Sequence, residues 1–280
     1  MKLLLQVLIL VSVYAINIHI GYGQRVYADF EEILVTPLLG SVANEGNPTD
    51  IDYTNYSTLN VLLGILGAVG DATQNLQFTG TLKPAPTAPL MIRFGSGGSI
   101  LGLFDGIQIQ RTNGGISNTV GTNYTSDAIL DLLAINSDPE ADEVIVPVPG
   151  ILNDSDGLRL RIRSVLTLGF SVNLYYAFFI TPPTVESPVS VCQGENALIS
   201  LSNFQPGYTY KLYNALTEGD LLATGNLDVL TVDSSDLIPG TYYLEAAESD
   251  TGFTSSRTPF DIVIYPKPGH PDIDLNVNQN

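Results

Sequence analysis

Apolar and polar residues alternate with a period of two along most of this chain, in short blocks separated by glycine, asparagine and proline. That is the pattern of half-buried β-strands. The cleanest block is Leu158-Arg159-Leu160-Arg161-Ile162-Arg163. As a strand it turns two leucines and an isoleucine toward a core and three arginines to the opposite face. Strands are also predicted at Leu90–Phe94, after the proline loop Pro84–Pro89, and at Asp105–Arg111, before the turn signal Asn113-Gly114-Gly115. Gly95–Gly98 reads as a hinge-like turn and Asn153–Gly157 as a hairpin turn. Leu59–Val69 reads as short strands. Thr125–Ile135, with Ser126 or Asp127 available as a cap, stays open between helix and strand.

Two proline seams organise the chain. Pro182-Pro183 follows a predicted last strand, Tyr175–Ile180, and the seam Pro266-Lys267-Pro268-Gly269-His270-Pro271 closes a second series of strands. The stretch before the first seam, 24–181, is long enough for roughly eight strands, which predicts a two-sheet β-sandwich of jelly-roll type. Between the seams, 182–268, turn signals recur among short strands. Residues 269–280 read as a linker or tail, and Pro266–Asn280 resembles the opening of a next repeat. The expected class is all-β.

Charge and leader sequence then set the compartment. The formal net charge is −18, yet only 14% of residues are charged and 44% are hydrophobic. The acidity is therefore spread through a packed chain rather than gathered in a tail, and it argues against nucleic acid as a partner. Lys2, the apolar run Leu3–Ala15 and the small residues of Gly21-Tyr22-Gly23 read as a cleaved signal peptide over 1–23. An uncleaved anchor is the alternative, since Ile16, Ile18 and Ile20 extend the apolar run. After cleavage no transmembrane segment is expected, because Leu59–Val69 is short and glycine-interrupted. The protein is expected to be secreted or at the cell surface. Its single cysteine, Cys192, cannot form an internal disulfide; a buried small hydrophobe is expected, with pairing between chains as the alternative.

Val191-Cys192-Gln193-Gly194-Glu195, Tyr208–Tyr213, Pro239-Gly240-Thr241-Tyr242-Tyr243-Leu244 and the turn Thr251–Pro259 together resemble the immunoglobulin-like repeats of large surface proteins from Bacteroidetes. The resemblance implies an immunoglobulin-like β-sandwich, in an adhesin-like protein, with Tyr242 as a corner tyrosine. Such repeats often carry a second cysteine where Phe253 stands, so their disulfide does not transfer. A second likeness joins Gly40–Asn44 and Asn47–Ser57 to the opening of discoidin-like, galactose-binding-like jelly rolls. It implies a structural calcium held by Asp50 and Asp52; the plain alternative is an Asx-turn loop.

Catalytic candidates are thin. His270 is the one histidine outside the leader, and no phosphate-cradling lysine loop is present. The acidic pairs Glu31-Glu32, Asp138-Pro139-Glu140 and Asp142-Glu143 read as solvated charge rather than glycosidase acids. No cofactor is required. Tryptophan is absent, so stacking on a sugar ring would fall to tyrosines, and Tyr53, Tyr56 and Tyr124 lie in loop-like sequence. Arg159, Arg161 and Arg163 could recognise an acidic polysaccharide, or form a solvated strand face. The expectation is a noncatalytic secreted or cell-surface protein acting in adhesion or glycan binding, with an extracellular glycan or surface protein as partner. The alternatives are an accessory module of a polysaccharide-degrading enzyme and a purely structural spacer.

Overall fold

The protein is described from a computed structural model over residues 24–62, 69–95, 106–133, 142–164 and 170–267. The predicted signal peptide, Asp138-Pro139-Glu140, most of the Gly95–Gly98 turn, His270 and the tail from 269 lie outside the described residues. By its contacts the chain forms two units, Met1–Pro182 with Ala246–Arg257, and Pro183–Glu245 with Thr258–Asn280.

The first unit contains β1 (Arg25–Tyr27), β2 (Phe30–Val35), β3 (Gly40–Ala43), β4 (Ser57–Val61), β5 (Asp71–Gln77), β6 (Leu90–Gly95), β7 (Ile107–Thr112), β8 (Thr119–Tyr124), β9 (Glu143–Val148), β10 (Gly157–Arg163) and β11 (Phe170–Ile180). One sheet has the order β3-β4-β11-β6-β9, with β1 added alongside β11; the other has the order β2-β5-β10-β7-β8. Counting β4 as first and β11 as eighth, the sheets read 1-8-3-6 and 2-7-4-5. The chain thus changes sheet at almost every connection, which is the jelly-roll winding the sequence predicted.

The core is built by the alternation read from the sequence. Leu158, Leu160 and Ile162 are fully buried, and their cross-strand partners on β5 are Leu76, Gln74 and Ala72. Leu59, Ile92, Phe94 and Leu174 from the opposite sheet join the same core. Burying one such side chain is worth about 2 kcal/mol. Gln74 is the polar member of the row and is satisfied there: it accepts from the Ser57 hydroxyl at 2.5 Å and donates to the Glu45 carbonyl at 2.7 Å. The open segment resolves as α1 (Ser126–Leu133), with Asp127 in its first turn. Ile129 and Leu133, four apart, form its buried side. Leu59–Val69 contributes the end of β4, and residues 63–68 are not described.

The second unit contributes β12 (Val189–Cys192), β13 (Asn196–Ser200), β14 (Tyr208–Tyr213), β15 (Leu221–Gly225), β16 (Val229–Asp233), β17 (Gly240–Glu248) and β18 (Thr258–Tyr265). Their sheets are β12-β18-β17-β14-β15 and β13-β16. β12 runs parallel to β18 while the pairings of β17 with β18 and β13 with β16 are antiparallel, an immunoglobulin-like arrangement. Tyr242 closes the expected corner: its hydroxyl donates to the Ile238 carbonyl and accepts from the Ile238 amide, both at 2.9 Å. Cys192 is exposed, which corrects the expectation of a buried thiol. On β12 it is Val191 that turns inward, so the neighbouring Cys192 points out beside the half-exposed Tyr265.

The β17–β18 connection counts with the first unit, where Glu248 pairs with Arg25 at 2.5 Å and both side chains are nearly buried.

Candidate functional site

One outer face of the first unit gathers aromatic residues from distant parts of the sequence. On β1 and β11, Tyr27 lies opposite Phe178. The β11–β6 register shifts between Leu174 and Tyr176, so Leu174 and Ala177 both belong to the core and Tyr175 and Tyr176 reach outward between them. The β3–β4 loop then lays Tyr53 flat on Tyr27, with ring centroids 4.0 Å apart and planes 17° from parallel. Tyr176 stands edge-on to both rings, at 5.3 and 6.0 Å, and Tyr56 tilts against Tyr175 at 5.1 Å. Two sequence-predicted tyrosines, Tyr53 and Tyr56, thereby join one cluster.

Arg93 from β6 lies over this cluster, its guanidinium 4.8 Å from the Tyr175 ring and 5.5 Å from the Tyr176 ring. It ion-pairs with Glu143, which also accepts from the Tyr175 hydroxyl at 2.5 Å. Burial pushes the Tyr27 phenol up to about 12, although Arg25 beside it pulls the other way. Burial also raises Tyr53 and Tyr175, the latter further because its hydroxyl serves Glu143. Burial alone would raise Glu143, but the Tyr175 hydroxyl and Arg93 hold it below the usual carboxylate range. Glu143 is thus an ionised acid with fixed partners rather than solvated charge. Tyr27 also lines a cavity of about 180 Å³, with Val26, Phe78 and Leu82 as apolar wall and Asp29 as its carboxylate.

The loop carrying Tyr53 and Tyr56 is held by Asp50 and Asp52. Asp50 accepts from the Asp52 amide at 2.8 Å and from the Asn55 side chain at 2.8 Å; Asp52 accepts from the amide and hydroxyl of Thr54. These hydrogen bonds keep the exposed Asp52 carboxyl below its ordinary pKa. This is an Asx-turn network. Three of the four carboxylate oxygens already face N–H or O–H donors, and among the described residues no three Asp, Glu, His or Cys converge as metal ligands. A calcium ion would have to displace those donors to gather its six to eight oxygens.

The remaining predicted residues lie apart from this face. Tyr124, at the end of β8, is half-buried against the core in the other sheet. Arg159, Arg161 and Arg163 share the outer face of β10. Arg161 and Arg163 both turn to Asp71, while Arg159 donates to Gln110 at 2.8 Å and to the Ile116 carbonyl at 3.3 Å. Sequence reading did not single out Tyr27, Arg93, Tyr175 or Tyr176. The doublet Tyr175-Tyr176 was a usable signal, because strict alternation would bury one of two adjacent tyrosines.

Residues 181–266 match the family model of an Ig-like domain described as CHU_C associated. Most of the second unit lies within that match. Comparison with curated proteins returned no relative. Among solved structures, a β-1,2-glucanase from Parabacteroides distasonis is similar at 12% identity and a TM-score of 0.33 over 88% of this chain, which spans 37% of the glucanase. The adhesin domain of Epf from Streptococcus pyogenes is similar at 12% identity and a TM-score of 0.26, covering 76% of this chain and 79% of that domain. The BSP domain of a biofilm associated protein follows at 11% identity and 0.22, covering 79% and 54%. At such TM-scores these likenesses carry no argument about function. No helix among the described residues is long and apolar enough to cross a membrane.

Proposed function

We propose that this chain is a noncatalytic adhesion-type protein, secreted or held at the cell surface, whose jelly-roll unit binds glycan on the face formed by Tyr27, Tyr53 and Tyr176. The observation that carries the reading is the Tyr27–Tyr53 stack, edged by Tyr176 and flanked by the Arg93–Glu143 pair. Tyr53 and Tyr56 keep part of their rings in solvent, which suits stacking on the C–H face of a sugar, while Arg93 and Glu143 offer a donor and an acceptor at its rim. The Ig-like domain fits a surface role, since such domains serve as spacers and contact modules.

The test is retention of the chain on immobilised polysaccharides and a glycan array, with Tyr53→Ala as the matched variant. Binding that falls about tenfold or more in the variant supports the reading, a loss equivalent to about 1.4 kcal/mol. Equal binding by both removes the aromatic face as the site, and no binding to any glycan with or without calcium leaves the spacer reading in its place. Release of reducing sugar by the chain, lost on a single carboxylate change, would replace both with an enzyme.

A further inference from the structure

The outer face of the second sheet of the jelly roll holds a polar group that its own fold does not satisfy. Asn75, in the middle of β5, is fully buried although its side chain points away from the core, since its neighbour Leu76 is the core residue. Its amide oxygen accepts from the Thr112 hydroxyl at 2.7 Å, and among the described residues its amide nitrogen has no partner. Exchanging the amide nitrogen and oxygen only moves the vacancy to the oxygen. A buried, unmet polar group destabilises a fold, so its retention calls for an explanation.

The β7–β8 turn is fastened to the neighbours of Asn75. In the register, Asn75 sits between Glu32 on β2 and Arg159 on β10. Ile116 bridges those two neighbours, donating its amide to Glu32 at 2.6 Å and accepting from Arg159 at 3.3 Å. Its backbone is therefore tied to the two side chains that flank Asn75. Gly114 and Gly115, with φ of +71° and +136°, bend the turn down onto the sheet, a conformation side-chain-bearing residues resist. Besides Ile116, the turn is held to neighbouring segments by Gly114 donating to Asp156 at 2.9 Å. Asn113, Gly114, Ser117 and Asn118 are exposed, so lifting the turn uncovers little apolar surface.

We propose that this turn is a lid over a second binding site, and that the site takes the hydroxyl groups of a neutral sugar. With the lid raised, Glu32 offers a carboxylate acceptor, Arg159 a donor and Asn75 an amide unpaired on one side. A hydroxyl both donates and accepts, so it satisfies Asn75 in either orientation of the amide. Glu32 disfavours an anionic ligand, and the two further arginines of β10 are already engaged by Asp71. Phe30 lies on the same face, two residues from Glu32 and 45% exposed, and supplies an apolar platform for the sugar ring. The ligand class rests on the glycan reading above, but the residues are disjoint from Tyr27, Tyr53 and Tyr176.

The deciding experiment titrates the ¹⁵N-labelled chain with glucose, galactose, mannose and xylose in turn, following the Asn75 side-chain amide and the Ile116 backbone amide. The expected result is a saturable shift of both signals with at least one sugar, unchanged by Tyr53→Ala and weakened about tenfold or more by Arg159→Met and by Glu32→Gln. Glu32→Gln keeps the side chain's shape and an acceptor for Ile116, so a folded spectrum is expected from that variant even if Arg159→Met unfolds the protein. Signals that stay in place with all four sugars mean that only water sits beneath the turn, and overturn the site. So does a shift that survives Glu32→Gln or disappears with Tyr53→Ala, which would return all binding to the aromatic face. Loss of polysaccharide retention in Tyr53→Ala reports separately on the first site.

Discussion

Arg111 offers the sharpest test of the energetic reasoning. It is 1% exposed on the core side of β7 and has no carboxylate partner among the described residues: its guanidinium donates to the carbonyls of Ala88 at 3.0 and 3.1 Å, Pro149 at 2.7 Å and Val148 at 3.4 Å, and to the Ser155 hydroxyl at 2.9 Å. Burial lowers its pKa from 12.5 to about 10, partly offset by Tyr124. That displacement corresponds to about 3 kcal/mol against the charged form. Arg111→Met removes that penalty but strands the Ala88 and Pro149 carbonyls and the Ser155 hydroxyl, and at about 1–2 kcal/mol for each the expected net loss is about 0–3 kcal/mol. Arg111→Lys keeps the buried charge and gives up the planar fork that reaches these partners together, so it should cost more, about 3–5 kcal/mol. Urea unfolding of the three proteins, extrapolated linearly, measures both differences. A lysine variant as stable as the methionine variant would refute the argument, because fork geometry would then contribute nothing.

The other predictions are independent of it. In the folded protein Tyr27 keeps its proton to about pH 12, whereas an unfolded tyrosine releases it near 10; its contribution is therefore complete below pH 10 and lost as pH rises from 10 to 12. Absorbance titration of tyrosinate should show a late-ionising phenol that disappears in Tyr27→Phe, and an unchanged titration would contradict the burial argument. Glu248→Ala leaves Arg25 charged and nearly buried, so a loss of about 3–5 kcal/mol is expected, with Arg25→Met/Glu248→Leu recovering most of it; thermal melts compare them. Tyr53→Ala should lower stability by about 1 kcal/mol through loss of its stack on Tyr27, with a far larger effect on glycan retention. A calcium ion in the Asp50–Asp52 turn requires chelator to lower the melting temperature of the wild type and not of Asp50→Ala; equal melting with and without chelator in both removes the ion.

The chain's own order of residues was enough for the all-β class, the jelly-roll expectation and the core face of β10, because a period of two assigns each residue to one side of a sheet before any partner is known. Leu158, Leu160 and Ile162 were legible for that reason, whereas the corner role of Tyr242 came from the resemblance of its segment to immunoglobulin-like repeats. Tertiary structure alone decided what those faces do. Tyr27, Tyr53 and Tyr176 meet only because β1 pairs with β11 and a register shift turns two consecutive tyrosines outward; the Tyr175-Tyr176 doublet signals an irregularity, but local sequence does not name the strands that β11 pairs with. The arginine face looked free in sequence, yet Asp71 lies across the strand from two of its members and a turn caps the third. Cys192 came out exposed because burial depends on which neighbour of an alternating pair meets the sheet behind it. Period is a local property of the chain, while partnership is set by which strands the winding makes neighbours.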